Sequence, residues 1–495
     1  MDKVFPEHGI DKDKVLLELD SLSQDDPDFK RGRTWGLVYY AGEEHHQFLK
    51  DVHSRFASQN ALNSMAFKSL KRMESDVVRM SVEIFNGDEQ CVGTMTSGGT
   101  ESIMMAVKTY RDRARKLKPW ILHPEMIVPD SVHVAFDKAG KYFDVKMIHA
   151  PLNSDFRVDT KWVSKKINRN TIAIVGSAPQ YPHGVVDDIA ALSVVAVKKK
   201  VPLHVDACLG GFLLPFLEMA GENIPTFDFR LPGVTSISAD VHKYGFSAKG
   251  ASVILYRNMQ YMKHQFFIYE NWPGGIFASP AMLGTRSGGP IAAAWATLKT
   301  LGIEGFKNNA ETIQKISKEL IRKIEDIPEM KIVGKPVASV FAYTTKDPKI
   351  NIYTIADFLN EKGWHVDRNQ KPESLHAMVT LGHEQYIDEF VTDLKAAVEY
   401  TKAHPEKAKE GNAAMYGMIA KIPVRSMIKS SVMKMMEQMY SAEGKLPDGN
   451  TKPDEDSFEA LAQRVGLQFL DIKDSVDAKI SNIKSKFKEK ISLRK

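Results

Sequence analysis

The chain has 495 residues, 43% hydrophobic and 26% charged, the balance of an ordinary globular protein with room for two or three lobes. Its formal net charge of +5 is local. Residues 483–495 hold six Lys or Arg against one Glu and account for the whole excess, which excludes a general nucleic-acid footprint. Two cysteines, Cys91 and Cys208, exclude a disulfide scaffold and suit a reducing compartment. No apolar run approaches the roughly 20 residues that span a bilayer. Met1–Asp13 is charged and lacks the apolar centre of a secretory signal. A cytoplasmic protein with no transmembrane segment is expected.

In chain order, residues 1–60 read as helical and polar, ending in loops around Trp35–Gly42. Between Phe67 and Phe85, Leu70, Met73, Val77, Met80 and Ile84 recur at helical spacing. A Gly-rich turn at 96–101 opens a second helix that runs to about Arg115. Short apolar runs then alternate with helical patterns. Met126–Pro129, Val145–His149, Thr171–Gly176, Leu203–Asp206, Ser236–Ala239 and Ala251–Tyr256 read as strands, and Asp188–Lys199 as one of the amphipathic helices between them. This alternation predicts a mostly parallel sheet with helices on both faces and ligand sites at the carboxyl ends of its strands. From about Gly302 the pattern changes to a smaller α/β lobe. It has helices at Lys307–Ile327, Thr354–Lys362 and Gln385–Ala403, and strands at Lys331–Val333, Ser339–Tyr343 and near His376–Leu381. The divisions predicted are an N-terminal segment 1–60, a large domain 61–302, a small domain 303–442, a Pro/Gly/charge-rich linker 443–456 and a C-terminal helix 457–495.

Three features in fixed order carry chemistry. Ser97-Gly98-Gly99-Thr100-Glu101-Ser102 is a Gly-rich turn entering a helix, where free N–H groups and the helix dipole receive a phosphate dianion. Such turns are common, and alone this one could be a plain loop. Asp206 closes the apolar strand His204-Val205-Asp206. It could cap the next helix, but as a functional group it would pair with a pyridinium nitrogen. A metal reading of His204 and Asp206 lacks further spaced ligands. Lys243, 37 residues after Asp206, follows another strand within Ser238–Gly245. A single lysine there would be a surface charge. Desolvation and nearby positive charge would instead lower its pKa and suit it to Schiff-base formation, with His242 beside it donating to the phosphate. Gly-turn, Asp and His-Lys together point to pyridoxal 5′-phosphate. His133, past the strand at Met126–Pro129, could stack on the cofactor ring or merely cap a helix.

The turn at 96–102 resembles the phosphate-binding turn of group II PLP-dependent decarboxylases. The likeness sharpens toward the sphingosine-1-phosphate lyase family in Pro182–Val185, His204–Phe212 (HVDACLGGF), Phe227–Arg230, Gly233–Asp240, His242–Gly245, Lys249-Gly250, Gly284–Gly289 and Ala414–Gly417. It runs from about Arg33 to Tyr440. The resemblance implies the aspartate-aminotransferase-like fold type I, a homodimer with shared active sites, and retro-aldol cleavage of a phosphorylated long-chain base to a long-chain aldehyde and phosphoethanolamine. By position it implies Lys243 as the Schiff-base lysine, Asp206 as the pyridinium partner and His133 as the stacking residue. Gly98, Gly99, Thr100 and His242 match the phosphate cradle. Lys249 and Tyr181 match positions near substrate and proton transfer, and Thr285 one that reaches a neighbour's phosphate. Asn60–Asn63 (NALN) departs from the Asn-Pro-Leu-His of some members, and Ser247-Ala248 from their Ala-Pro. Tyr181 is Phe in some relatives. Without the N-terminal membrane helix of the family's membrane-bound members, the chain resembles the soluble, bacterial-type form.

Two other readings compete. An amino-acid decarboxylase on the same fold needs a site for the substrate's α-carboxylate, and no motif for one is visible. A PLP-binding protein without catalysis would not require Lys243, Asp206 and His133 together. Beyond the resemblance, Phe469, Ile472, Val476, Ile480, Ile483, Phe487 and Ile491 form one apolar stripe opposite a lysine-rich face. Such a helix could lie on an anionic membrane as a peripheral contact, or pack on the body or a partner subunit.

Overall fold

A computed structural model describes residues 5–24, 26–63, 65–421 and 425–441. The linker 443–456 and the helix expected at 457–495 lie outside them. The apolar runs form a seven-stranded sheet from β1 (Val92–Thr96), β2 (Glu125–Pro129), β3 (Lys146–Ala150), β4 (Thr171–Ser177), β5 (Leu203–Asp206), β6 (Val234–Ala239) and β7 (Ser252–Tyr256). Their order is β1-β7-β6-β5-β4-β2-β3. Neighbours from β3 to β6 pair in parallel, and β7 runs antiparallel to both β6 and β1. Every residue of β4, β5, β6 and β7 is buried. Such strands are apolar without alternation because helices cover both faces.

Helix Lys68–Ile84 buries Leu70, Met73, Val77 and Ile84 of the stripe its spacing predicts, leaves Met80 half-buried, and buries Val78 and Val82 beside them. The pattern change near Gly302 has a backbone cause: Gly302 adopts φ 56°, which breaks the long helix Gly288–Glu325 into two. After the hairpin β8 (Phe267–Trp272) and β9 (Gly275–Ser279) comes a four-stranded antiparallel sheet. It contains β10 (Met330–Val333), β11 (Val340–Thr345), β12 (Asp367–Gln370) and β13 (Glu373–Met378) in the order β10-β11-β13-β12.

The loop read at Trp35–Gly42 is a strap anchored by the buried Trp35 and Gly36, with Leu37 exposed and the rest half-buried. Trp35 is 2% exposed and stacks on His383 at 4.3 Å; its N–H donates to the His365 carbonyl at 3.2 Å and its carbonyl accepts from the Met378 N–H of β13 at 3.1 Å. It leads Tyr39 onto Tyr244, directly after the key lysine, with ring centroids 4.9 Å apart. Among the described residues, no helix is long and apolar enough to cross a membrane.

Candidate active site

Parallel strands deliver their following residues to one edge of the sheet, and four of the expected groups arrive there. Past β1, the Ser97 N–H and hydroxyl both donate to Glu101 Oε2 at 2.7 Å, which curls the turn into helix Gly99–Leu117. Gly98 receives no side-chain cap, so the first N–H groups of that helix remain available. A Cβ on Gly98 would lie 3.4 Å from the His242 ring, so His242 sits against the same turn. Gly99 is tighter: a Cβ there would come within 2.8 Å of Asp240 Oδ2 and Cys208 Sγ. The Thr96 hydroxyl reaches Ser102 Oγ at 2.6 Å, and Ser102 reaches Ser252 of β7 at 2.8 Å, locking the turn to the sheet. Thr100 follows in the same first helical turn.

Asp206 ends β5, 6% exposed. Its Oδ1 accepts from the Cys208 N–H at 3.1 Å and faces the Ser238 hydroxyl at 3.5 Å, while Oδ2 accepts nothing among the described residues. His204 is spent on packing. Its ring bonds the Ser236 and Ser238 hydroxyls at 2.7 and 3.3 Å, and burial pushes its pKa down to about 4. His133, half-buried past β2, accepts the Ala135 N–H on Nδ1 at 3.2 Å, which fixes its ring at the start of helix Ala135–Phe143.

Lys243 lies on the loop after β6, its side chain 23% exposed, with Nζ 3.0 Å from Asp240 Oδ2. The expectation of a lowered lysine pKa is overturned. Burial is the largest single influence and pushes it down, but Asp240 first, then Cys208 and Asp206, together outweigh burial and hold Lys243 above the ordinary lysine range. His242 accepts the Ala251 N–H on Nδ1 at 3.2 Å, and burial lowers its pKa. In the neutral tautomer its Nε2 therefore carries the hydrogen and is a donor.

Lys249 and Tyr181 flank this group. Lys249 Nζ donates to the Leu37 carbonyl at 2.5 Å and lies 5.1 Å from the centre of the Tyr39 ring. Burial, then the nearby Lys243, brings its pKa down to about 8. The Tyr181 hydroxyl donates to Asp367 Oδ2 at 3.0 Å, and its ring stacks on His376 at 4.1 Å. Burial, then Asp367, pushes that phenol up. A cavity of about 390 Å³ opens beside the site, lined by Tyr39, His46, Lys50, His242 and Lys249 among others.

Thr285 stands apart. It is exposed, and among the described residues its hydroxyl meets only the Asn60 amide, at 3.4 Å. Its loop is pinned on either side, by the Met282 N–H to Glu101 Oε1 at 2.9 Å and by Arg286 to the buried Glu74 at 2.7 Å. Asn60, at the start of the Asn60–Asn63 segment, is therefore tied to the Thr285 loop.

Sequence reasoning assigned nothing to Asp240, Tyr39 and Asp367. Asp240 was visible as an acid three residues before the lysine. Tyr39 and Asp367 arrive from the strap and the small sheet, which no local pattern announces.

The residues fit a pyridoxal phosphate group. At Gly99 the turn has room for no side chain, the buried carboxylate of Asp206 keeps one oxygen free, and the half-buried Lys243 meets Asp240, which lies against that glycine. Residues 37–346 match the family described as the pyridoxal-dependent decarboxylase conserved domain. The chain is 42% identical over 441 residues to a sphingosine-1-phosphate lyase of Oryza sativa subsp. japonica, covering 88% of this chain and 81% of that protein. It is 39% identical over 458 residues to sphingosine-1-phosphate lyase 1 of Rattus norvegicus, covering 91% and 80%. The solved sphingosine-1-phosphate lyase of Burkholderia pseudomallei superposes with a TM-score of 0.77 at 40% identity, over 82% of this chain and 94% of that one. A Lactobacillus brevis glutamate decarboxylase, 22% identical with a TM-score of 0.71 over 81% and 95%, shares the fold alone.

Proposed function

Because the chain belongs to the pyridoxal-dependent decarboxylase family and, within it, to the sphingosine-1-phosphate lyases, we propose that the groups gathered around Lys243 cleave the C2–C3 bond of a phosphorylated sphingoid base. The chain is accordingly a PLP-dependent carbon–carbon lyase of fold type I, and its products are a long-chain aldehyde and phosphoethanolamine. The observation that carries the site reading is the convergence of the Gly98–Gly99 turn, the free oxygen of Asp206 and the His242-Lys243 pair at one edge of one sheet.

Bound there, pyridoxal phosphate supplies a ring that accepts the electron pair of the broken bond. The chain's own groups have separate tasks. The first N–H groups of helix Gly99–Leu117, Thr100 and His242 bind the phosphate dianion. Asp206 would hold the ring nitrogen protonated through its free oxygen, and His133 would lie against the ring. Lys243 would be the residue that holds the cofactor covalently. Lys249, which lines the 390 Å³ cavity, and Tyr181 are the groups assigned to proton transfer at the C3 hydroxyl.

A homodimer with shared sites belongs to the same reading, as do the division of the chain at 302 and a cytoplasmic location with peripheral membrane contact through 457–495. The exposed Thr285 and the exposed apolar hairpin before it support the dimer.

The test is direct. Purified protein should carry the visible absorbance of a lysine-bound cofactor, absent in Lys243→Ala. With dihydrosphingosine 1-phosphate it should release aldehyde and no CO2. CO2 release from an amino acid without aldehyde would replace the substrate class, and a colourless protein after PLP is supplied would end the cofactor reading.

A further inference from the structure

Asp240 has no task in the chemistry above, yet its setting is costly. It is 2% exposed, follows β6 directly and places Oδ2 3.0 Å from Lys243 Nζ. Its Oδ1 is buried without a hydrogen-bond partner among the described residues. Ser252 lies near, but its hydroxyl is given to the Ala239 carbonyl at 3.0 Å. Gly99 presses on the carboxylate from above, since a Cβ there would meet Oδ2 at 2.8 Å and Oδ1 at 2.9 Å. A buried carboxylate with one orphaned oxygen costs stability that a neutral residue of the same shape would not. What compensates is its charge, which faces the lysine nitrogen, His242 Nε2 at 3.7 Å and the positive end of helix Gly99–Leu117.

We propose that Asp240 is a positioning residue: it holds the Lys243 nitrogen as an ammonium whenever that nitrogen is free of the cofactor, and so keeps a proton ready for return to C2 after the C2–C3 bond breaks. This rests on the function proposed above and adds a residue to it. The protons balance. A substrate ammonium carries three hydrogens and keeps one when its nitrogen takes the place of Lys243 on the cofactor, the resting linkage carrying its own proton. Two hydrogens therefore pass to Lys243, which leaves as an ammonium beside Asp240. As C2–C3 breaks, its electron pair stays with C2, and the C3 hydroxyl proton passes to a base, giving the aldehyde. Lys243 then gives one proton to C2. The neutral amine that remains displaces the product amine, which departs with the proton the base had collected.

The titratable groups around the pair are His242 beside it, Asp206 and Cys208 from the end of β5, Lys249 from the next loop, Tyr39 from the strap and Tyr181 from the loop after β4. Of these, Asp240 is the group in ion-pair contact with Lys243 among the described residues.

The experiment uses holoenzyme in which Asp240→Asn or Asp240→Ser removes the charge, two shapes so that one failing to fold leaves the other to decide. The pH at which the visible band titrates should fall by at least about one unit, as expected when an opposite charge within contact distance is lost. In single turnover with dihydrosphingosine 1-phosphate, aldehyde should still appear while phosphoethanolamine release slows at least about tenfold. Asp240→Glu should restore both. If wild-type protein turns over but the neutral variants titrate at its pH and release both products together, the Asp240 proposal fails alone. If wild-type protein forms the band but yields no aldehyde, the function fails and the acid step falls with it.

Discussion

Lys243 and Lys249 are six residues apart and carry opposite shifts, which divides acid from base between two identical side chains. Asp240 raises Lys243, whereas burial and Lys243 itself bring Lys249 down to about 8. Tyr181 competes poorly as the base. Its hydrogen is committed to Asp367, and burial with that carboxylate keeps the phenol neutral. Below about pH 8 Lys249 is an ammonium and cannot accept the C3 proton; above it the free amine can. The value of kcat/KM is therefore expected to rise with pH through about 8. Lys249→Arg, whose guanidinium stays charged, should abolish the rising limb together with most of the activity. Tyr181→Phe should keep it. A pH–rate profile of the three proteins checks this, and a limb that survives in Lys249→Arg removes Lys249 as the base.

At the scale of elements, the two glycines at the start of helix Gly99–Leu117 separate packing from ligand binding. Gly99→Ala drives a methyl into the buried Asp240 carboxylate and Cys208 Sγ at 2.8 Å. The cost is expected at about 1–3 kcal/mol, the usual range for overpacking a dense interior. Gly98→Ala meets only the His242 ring edge at 3.4 Å and should fold with near-wild-type stability. Thermal melts with and without PLP should show Gly99→Ala destabilised in both, and Gly98→Ala losing chiefly the increment that cofactor adds.

The elements were unequally legible in sequence. β2, β4 and β7 were readable because double-sided burial leaves nearly continuous apolar runs. β1 (VGTMT) and β12 (DRNQ) were not, since one carries Gly and Thr and the other is a polar edge strand held by its pairing with β13. In the site, Lys243, Asp206 and the Gly turn were legible as a spaced motif. The pKa of Lys243 was read with the wrong sign because sequence shows a charge's neighbours in the chain, not the distance to Asp240.

For the whole molecule, the hairpin β8–β9 is the feature that a single copy leaves unexplained. Phe267, Ile268, Tyr269, Trp272 and Ile276 are all exposed on it, and Met282 and Leu283 extend the patch toward Thr285. A contiguous apolar surface of this kind marks an interface. The loop beyond it is held by Glu101 and by the buried Glu74–Arg286 pair, yet it leaves Thr285 exposed, with the Asn60 amide as its hydroxyl's partner among the described residues. A second copy seated on the hairpin would bury the patch and bring the partner's Thr285 toward this chain's phosphate turn, as a two-fold interface requires. Ile268→Glu combined with Ile276→Glu is therefore expected to give a folded monomer by light scattering, with turnover lost. Complementation then tests whether the site is shared rather than merely adjacent. Lys243→Ala and Thr285→Asp should each be inactive, and refolding them together should restore activity that neither has alone. A mixed dimer holds one site with an intact lysine from one chain and an intact threonine from the other. If mixing restores nothing while mixed dimers form, Thr285 serves its own chain and the sites are not shared.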